Sequence, residues 1–132
     1  MEQRSEEWFE ARKGRVTASM VGAILGVSPN LSRAGAMRAM VRAREGAEPE
    51  FTGNIATQYG ENNEAGAIAE YRMETGNTVE LVGFIAKEDW AGCSPDGLIG
   101  SDGGLEAKCP FGKRKEGELK PLEDQPHYYA QV

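Results

Sequence analysis

The chain is poor in the residues that most often carry metal or redox chemistry. It has a single histidine, His127, and two cysteines, Cys93 and Cys109. The cysteines fit no metal-ligand spacing and are expected to be reduced, half-buried strand residues rather than a disulfide. A one-histidine general-base mechanism would rest on His127 alone, and a surface or helix-start role explains that residue without one. No apolar run reaches the roughly 20 residues needed to cross a bilayer, and the acidic N-terminus does not resemble a signal peptide. The expectation is a cytoplasmic protein with no membrane partner. Net positive charge is missing too. A formal charge of −6 and a pI near 4.9 argue against a generic nucleic-acid-coating protein. The sequence shows no internal repeat, low-complexity tract or interdomain linker.

What is present fits one soluble domain covering residues 1–132, with 39% hydrophobic and 27% charged residues. The charge is uneven. Residues 1–48 carry eight Lys and Arg against six Asp and Glu, whereas residues 49–132 carry seven against fifteen. A basic strip and an acidic site can therefore coexist. Ser5 can cap a first helix, with Glu6 and Glu7 in its opening turn and Gly14 stopping it. Thr17 or Ser19 starts a second helix over residues 20–25, closed by Gly26. Ser32 begins a third that runs to Arg44, with Met37, Met40 and Val41 as its apolar stripe. The longest helix is expected over residues 57–75, with Ala65, Ile68, Ala69 and Met73 at helical spacing. The period then changes. Residues 78–87 and 91–99 read as a hairpin turning at Glu88-Asp89, followed by a strand over residues 105–109. Residues 111–124 read as a charged loop, and a last helix starts near Pro126. Tyr128 and Tyr129 in that helix can stack on bases or bury it against the sheet.

Residues 94–108 carry the most information. Asp96 follows Pro95, and ten positions later Glu106 and Lys108 stand two apart. On a strand, that spacing puts both on one face and turns Ala107 away. Two carboxylates and an ammonium at one spot suit a hard divalent ion such as magnesium or manganese. The lysine would orient a water or offset developing phosphoryl charge. Gly97, Gly100, Gly103 and Gly104 bracket short apolar pairs, as a tight turn between two strands requires. An ordinary glycine-rich acidic hairpin would show the same residues. The spacing is that of the PD-(D/E)xK nucleases.

A second set of residues sharpens the likeness. Residues 8–19 (Trp-Phe-Glu-Ala-Arg-Lys-Gly-Arg-Val-Thr-Ala-Ser), 59–64 (Tyr-Gly-Glu-Asn-Asn-Glu), 92–97 (Gly-Cys-Ser-Pro-Asp-Gly) and 104–110 (Gly-Leu-Glu-Ala-Lys-Cys-Pro) occur in this order. Together they resemble the lambda exonuclease/YqaJ-type viral recombinase family, and the likeness spans most of residues 5–132. The resemblance implies an α+β fold with a restriction-endonuclease-like core. Its N-terminal part would be helical, its central mixed β-sheet would be flanked by helices, and its C-terminal part would be truncated. It implies a magnesium-dependent exonuclease that degrades one strand of a double-stranded DNA end from the 5′ side. The remaining 3′ strand would pass to a single-strand annealing protein.

By the same resemblance, Asp96, Glu106 and the carbonyl of Ala107 would hold the metal, Lys108 would activate water, and Glu64 would be the helical acid of the site. Arg12, Ser19 and Ser94 would contact the 5′-terminal phosphate, an arginine fork and two hydroxyls suiting that anion. On the residues alone, Glu64 reads first as a solvated helix glutamate, one among several, and Ser19 can be only an N-cap and Arg12 a surface arginine. Thr17 is explained fully as a cap or core hydroxyl. Relative to the family, the sequence stops at Val132, before a further active-site glutamine and an edge strand. An exposed Tyr129 and Val132, an open sheet edge and homo-oligomer formation through this region are expected.

Overall fold

The computed structural model describes residues 1–115 and 117–132. Residue 116 of the expected charged loop lies outside the described residues. The chain forms two compact units, each assembled from separated stretches. The first comprises Met1–Glu50, Val82–Ser94 and Lys120–Val132, and the second Phe51–Leu81 and Pro95–Leu119.

In the first unit, helix α1 (Glu6–Arg12) starts at Ser5, whose hydroxyl accepts from the Trp8 amide at 3.2 Å. Such a cap contributes about 1 kcal/mol. Strand β1 (Val16–Thr17) leads directly into α2 (Ala18–Ile24), and α3 (Arg33–Arg44) follows. Ser32 caps α3 through the Gly35 amide, as its sequence suggested. The expected stripe of α3 is not its packed face. Gly35 and Ala36 are the buried residues, while Met37 and Val41 remain about 60% exposed. Gly35 packs against the Leu31 side chain and the Ser32 hydroxyl, where a Cβ would collide, and α2 is the helix that neighbours α3. Helix α5 (Pro126–Tyr129) packs on α2 so tightly that a Cβ on Gly22 would stand 3.1 Å from the His127 carbonyl oxygen.

Strands β2 (Ile85–Lys87) and β3 (Ala91–Cys93) form the expected hairpin, with Glu88 in the left-handed region at the turn. β3 also pairs in parallel with β1, so this sheet is mixed with order β1-β3-β2.

The second unit is built on α4 (Ile55–Thr75), capped by the Asn54 side chain through the amides of Ala56 and Thr57. Gly76, with φ of 71°, ends it in the left-handed conformation that glycine adopts without strain. The inward face of α4 is Gly60, Glu64, Ala67, Ile68 and Tyr71, whereas Ala65, Ala69 and Met73 point outward. Strands β4 (Gly97–Ile99) and β5 (Gly103–Leu105) make the glycine-bracketed hairpin. Glu80 bridges to Leu98 beside it, and among the described residues Val79 and Ile68 are the buried apolar side chains of this unit.

The fold is α+β, as expected, but the central sheet is two small sheets. Pro95 has no amide to donate, so the strand expected over residues 91–99 breaks between β3 and β4. The strand expected over residues 105–109 ends at Leu105, and residues 106–110 leave the ladder. Two single-turn 3-10 helices, Phe111–Lys113 and Leu122–Asp124, occupy part of the charged loop. Among the described residues no helix is long and apolar enough to cross a membrane.

Candidate active site

The expected site residues divide between the units: Glu64, Asp96, Glu106, Ala107 and Lys108 belong to the second, and Arg12, Ser19 and Ser94 to the first.

In the second unit the β4–β5 register places Gly97 opposite Leu105. One residue earlier, the Asp96 amide donates to the Leu105 carbonyl at 2.9 Å and closes the ladder. The next step departs from a regular sheet. The Ala107 amide donates to the Asp96 carboxylate at 2.6 Å, so a side chain replaces the carbonyl that a continuing strand would offer. This substitution is the physical reason that β5 stops early. It also fixes the Asp96 carboxylate against the Glu106-Ala107 backbone. Gly97 is buried against Val79, and a Cβ there would collide with the Val79 side chain. Only glycine at position 97 allows the hairpin to approach this support so closely.

Glu106 and Lys108 lie outside a strand, yet they share a side. The Lys108 ammonium meets the Glu106 carboxylate at 2.5 Å, with Glu106 the more buried partner. Glu64 faces inward on α4, one turn after Gly60, which packs near the Cys109 carbonyl. Cys109 reports on the neighbourhood. Burial pushes its thiol pKa up, and the negative charges of Glu64 and Asp96 push it further. Both carboxylates are thus within electrostatic reach of one sulfur. Glu64 itself is half-buried on this face.

The donor chemistry fits a hard divalent cation: two carboxylates and a backbone carbonyl, all oxygen. Among the described residues, however, no three His, Cys, Asp or Glu side chains gather into a group that could hold a metal ion. The expected set of Asp96, Glu106 and the Ala107 carbonyl requires only two such side chains.

Beside Lys108 opens a cavity of about 500 Å³, bounded by Tyr59, Asn63 and Glu70 of α4 and by Lys113 and Arg114. The Arg114 guanidinium lies 3.7 Å over the Phe111 ring, and Phe111 meets Tyr59 edge to face. This basic and aromatic wall was not foreseen, although Phe111, Lys113 and Arg114 cluster in the sequence.

In the first unit the parallel register pairs Val16 with Ala91 and Thr17 with Gly92. Ser19 and Ser94 each lie two residues beyond the second pair, so they leave the same end of two adjacent strands. Thr17 is 3% exposed and forms the N-cap of α2 without a side-chain cap bond. Its hydroxyl instead stands 3.2 Å from that of Ser19. Ser19 is therefore not the cap but an exposed residue of the first turn. Arg12 is half-buried, its guanidinium carbon 4.0 Å from the centroid of the Trp8 ring, and burial pulls its pKa below the ordinary arginine value. The Trp8 indole N–H donates to the Ser94 hydroxyl at 2.9 Å. Trp8 is the residue that sequence reasoning missed. Its signal was the i,i+4 spacing to Arg12 on a helix.

A likeness to known proteins extends over all four motifs. The profile of the YqaJ-like viral recombinase domain matches residues 7–132. The chain belongs to this family. The YqaJ-like chain is also similar to solved structures of LHK-Exo, an alkaline exonuclease from Laribacter hongkongensis. It superposes on that structure with a TM-score of 0.74 at 37% identity, covering 97% of this chain and 65% of that one. On LHK-Exo in complex with dAMP the TM-score is 0.75 at 37% identity, covering 96% and 65%. The YqaJ-like chain thus spans less than two thirds of the length of the exonuclease it matches. Among curated proteins none matches it.

Proposed function

We propose that residues 1–132 serve as one nuclease-like domain that hydrolyses phosphodiester bonds of linear duplex DNA from the 5′ end. The 3′ single strand left behind would go to an annealing partner in phage-type recombination. The supporting observation is the tie among the motif residues, in which Asp96 takes the Ala107 amide while Glu106 pairs with Lys108. Membership of the YqaJ-like family and the similarity to an alkaline exonuclease point the same way.

Asp96, Glu106 and the Ala107 carbonyl would hold magnesium or manganese. The ion supplies Lewis-acid stabilisation of phosphoryl charge and lowers the pKa of water. Lys108, held by Glu106, orients the attacking water and offsets the charge that builds on the phosphate oxygens. Glu64 adds negative charge from α4 on the same side as Asp96, which favours a cation over a second anion there. Arg12, Ser19 and Ser94 anchor the 5′-terminal phosphate, the arginine by its fork and the serines by their hydroxyls. Anchoring the terminal phosphate selects ends over internal positions.

The absence of a third gathered acid among the described residues favours one other reading, a module that holds a DNA end and cuts it poorly. Incubation of 5′-phosphorylated linear duplex with magnesium, and with EDTA in its place, separates the two. Progressive loss of the 5′-terminated strand in magnesium alone supports the nuclease. Retention of intact duplex by a protein that shifts its mobility in a gel supports the module.

A further inference from the structure

The end-phosphate residues depend on a side chain that touches two of them at once. Trp8 is half-buried on α1, and its ring is braced by Phe9, edge to face with centroids 4.9 Å apart. One part of the indole, its N–H, donates to Ser94 at 2.9 Å. Another part, its face, carries the Arg12 guanidinium at 4.0 Å. We infer that Trp8 is the positioning residue of the terminal-phosphate site, setting Ser94 as a hydrogen-bond donor and Arg12 as a pre-aligned fork. This rests on the reading that Arg12 and Ser94 contact the phosphate.

The chemistry follows from what each group can do. Indole nitrogen only donates, so Ser94 Oγ must be the acceptor in this pair. A serine hydroxyl has one proton, and with its oxygen engaged by Trp8 that proton is left to point at an anion. The stack acts on Arg12 differently. Lying over an aromatic face holds the guanidinium plane and removes water from one side of it. A guanidinium partly stripped of water, and already oriented, gives up less hydration and less rotamer freedom when a phosphate arrives. The lowered pKa of Arg12 through burial agrees with that desolvation. A tryptophan has only two side-chain torsions, so it fixes both partners at small entropic cost. The other tryptophan, Trp90, is 61% exposed and hydrogen-bonds Glu88, so it has no such role.

Two measurements test this. The first compares exonuclease kinetics of the wild type, Trp8→Phe, Arg12→Ala and Ser94→Ala on 5′-phosphorylated and 5′-hydroxyl duplexes. Phenylalanine keeps an aromatic face but loses the N–H and the second ring. The preference of Trp8→Phe for phosphorylated ends should fall about tenfold, the worth of one charge-assisted hydrogen bond, through a raised KM for those ends. The second uses Trp90→Phe, which leaves Trp8 as the sole tryptophan, and titrates it in EDTA with each duplex while following indole emission. The phosphorylated duplex should change the emission and the hydroxyl duplex should not.

Loss of preference in Arg12→Ala and Ser94→Ala with full preference in Trp8→Phe would overturn the role of Trp8 and leave the phosphate site standing. So would equal losses on both kinds of end in Trp8→Phe, since that marks a merely structural tryptophan. A wild type that does not distinguish the ends, with Trp8 emission blind to the phosphate, would overturn the phosphate site and this inference with it.

Discussion

The two units hold their candidate residues by different means. In the second unit, Asp96, Glu106, Ala107 and Lys108 are tied by one hairpin and the residues just past it, all within thirteen positions of the chain. In the first, Arg12 and Ser19 come from one stretch and Ser94 from another, joined by a two-residue parallel strand pair and one indole ring. The chemistry differs as well. The hairpin concentrates negative charge and one ammonium, whereas the helical unit offers a guanidinium and two hydroxyls. A site built from local hydrogen bonds should keep its fold when a charge is removed but lose its chemistry. A site built by long-range packing should lose selectivity first and activity later.

The largest expected effect breaks the local site. Glu106→Gln and Lys108→Ala should each lower cleavage of linear duplex by about 10²–10³-fold or more, with circular dichroism unchanged, because each removes a group that acts on the transition state. Cutting at the wild-type rate by either variant, once contaminating nuclease is excluded, would show that the hairpin is only structural.

A second pair of substitutions sharpens the distinction between chemistry and architecture at Asp96. Asn can still accept from the Ala107 amide, while Ala cannot. Both Asp96→Asn and Asp96→Ala should lose cleavage, but thermal melting should show Ala as less stable than Asn by about 1–3 kcal/mol, the cost of an amide left without its partner. Equal stability of the two would mean that the 2.6 Å bond does not hold the hairpin end.

Arg12→Ala should have the milder outcome expected of the helical unit. Preference for 5′-phosphorylated over 5′-hydroxyl ends should drop by about tenfold, with cutting of both retained. A uniform loss on both ends would make Arg12 a structural or general backbone contact.

The smallest effect concerns Cys109. Because the Glu64 and Asp96 charges raise its thiol pKa, Glu64→Gln should lower that pKa and move the pH midpoint of iodoacetamide alkylation to a lower value. An unmoved or higher midpoint would place Glu64 outside electrostatic reach of the sulfur.

The same contrast decides what was legible in the sequence. The caps at Ser5 and Ser32, the end of α4 at Gly76 and the β4–β5 hairpin are local signals, and each stands where its residues indicated. The nearness of Glu106 to Lys108 is local in the same way. The strand expected there ends early, because the Asp96 carboxylate captures an amide that a ladder would have used. β1 left no signal, since two residues have no readable period and their partner stands 75 positions away. The packed face of α3 does not follow its large apolar residues, because the turn at Leu31-Ser32 closes over Gly35 and leaves Met37 and Val41 to the outside. Glu64 could be placed on the inward face only once the phase of α4 was known.

Manganese uptake tests the central claim most directly, since it asks whether the hairpin carboxylates are a metal site before any cutting is considered. The protein is titrated with manganese while the free-ion signal is followed by electron paramagnetic resonance. The wild type should take up the ion, Glu106→Gln and Asp96→Asn should each weaken uptake by at least about tenfold, and Arg12→Ala should leave it unchanged. Uptake by Glu106→Gln and Asp96→Asn equal to that of the wild type would contradict a metal-dependent nuclease centred on this hairpin.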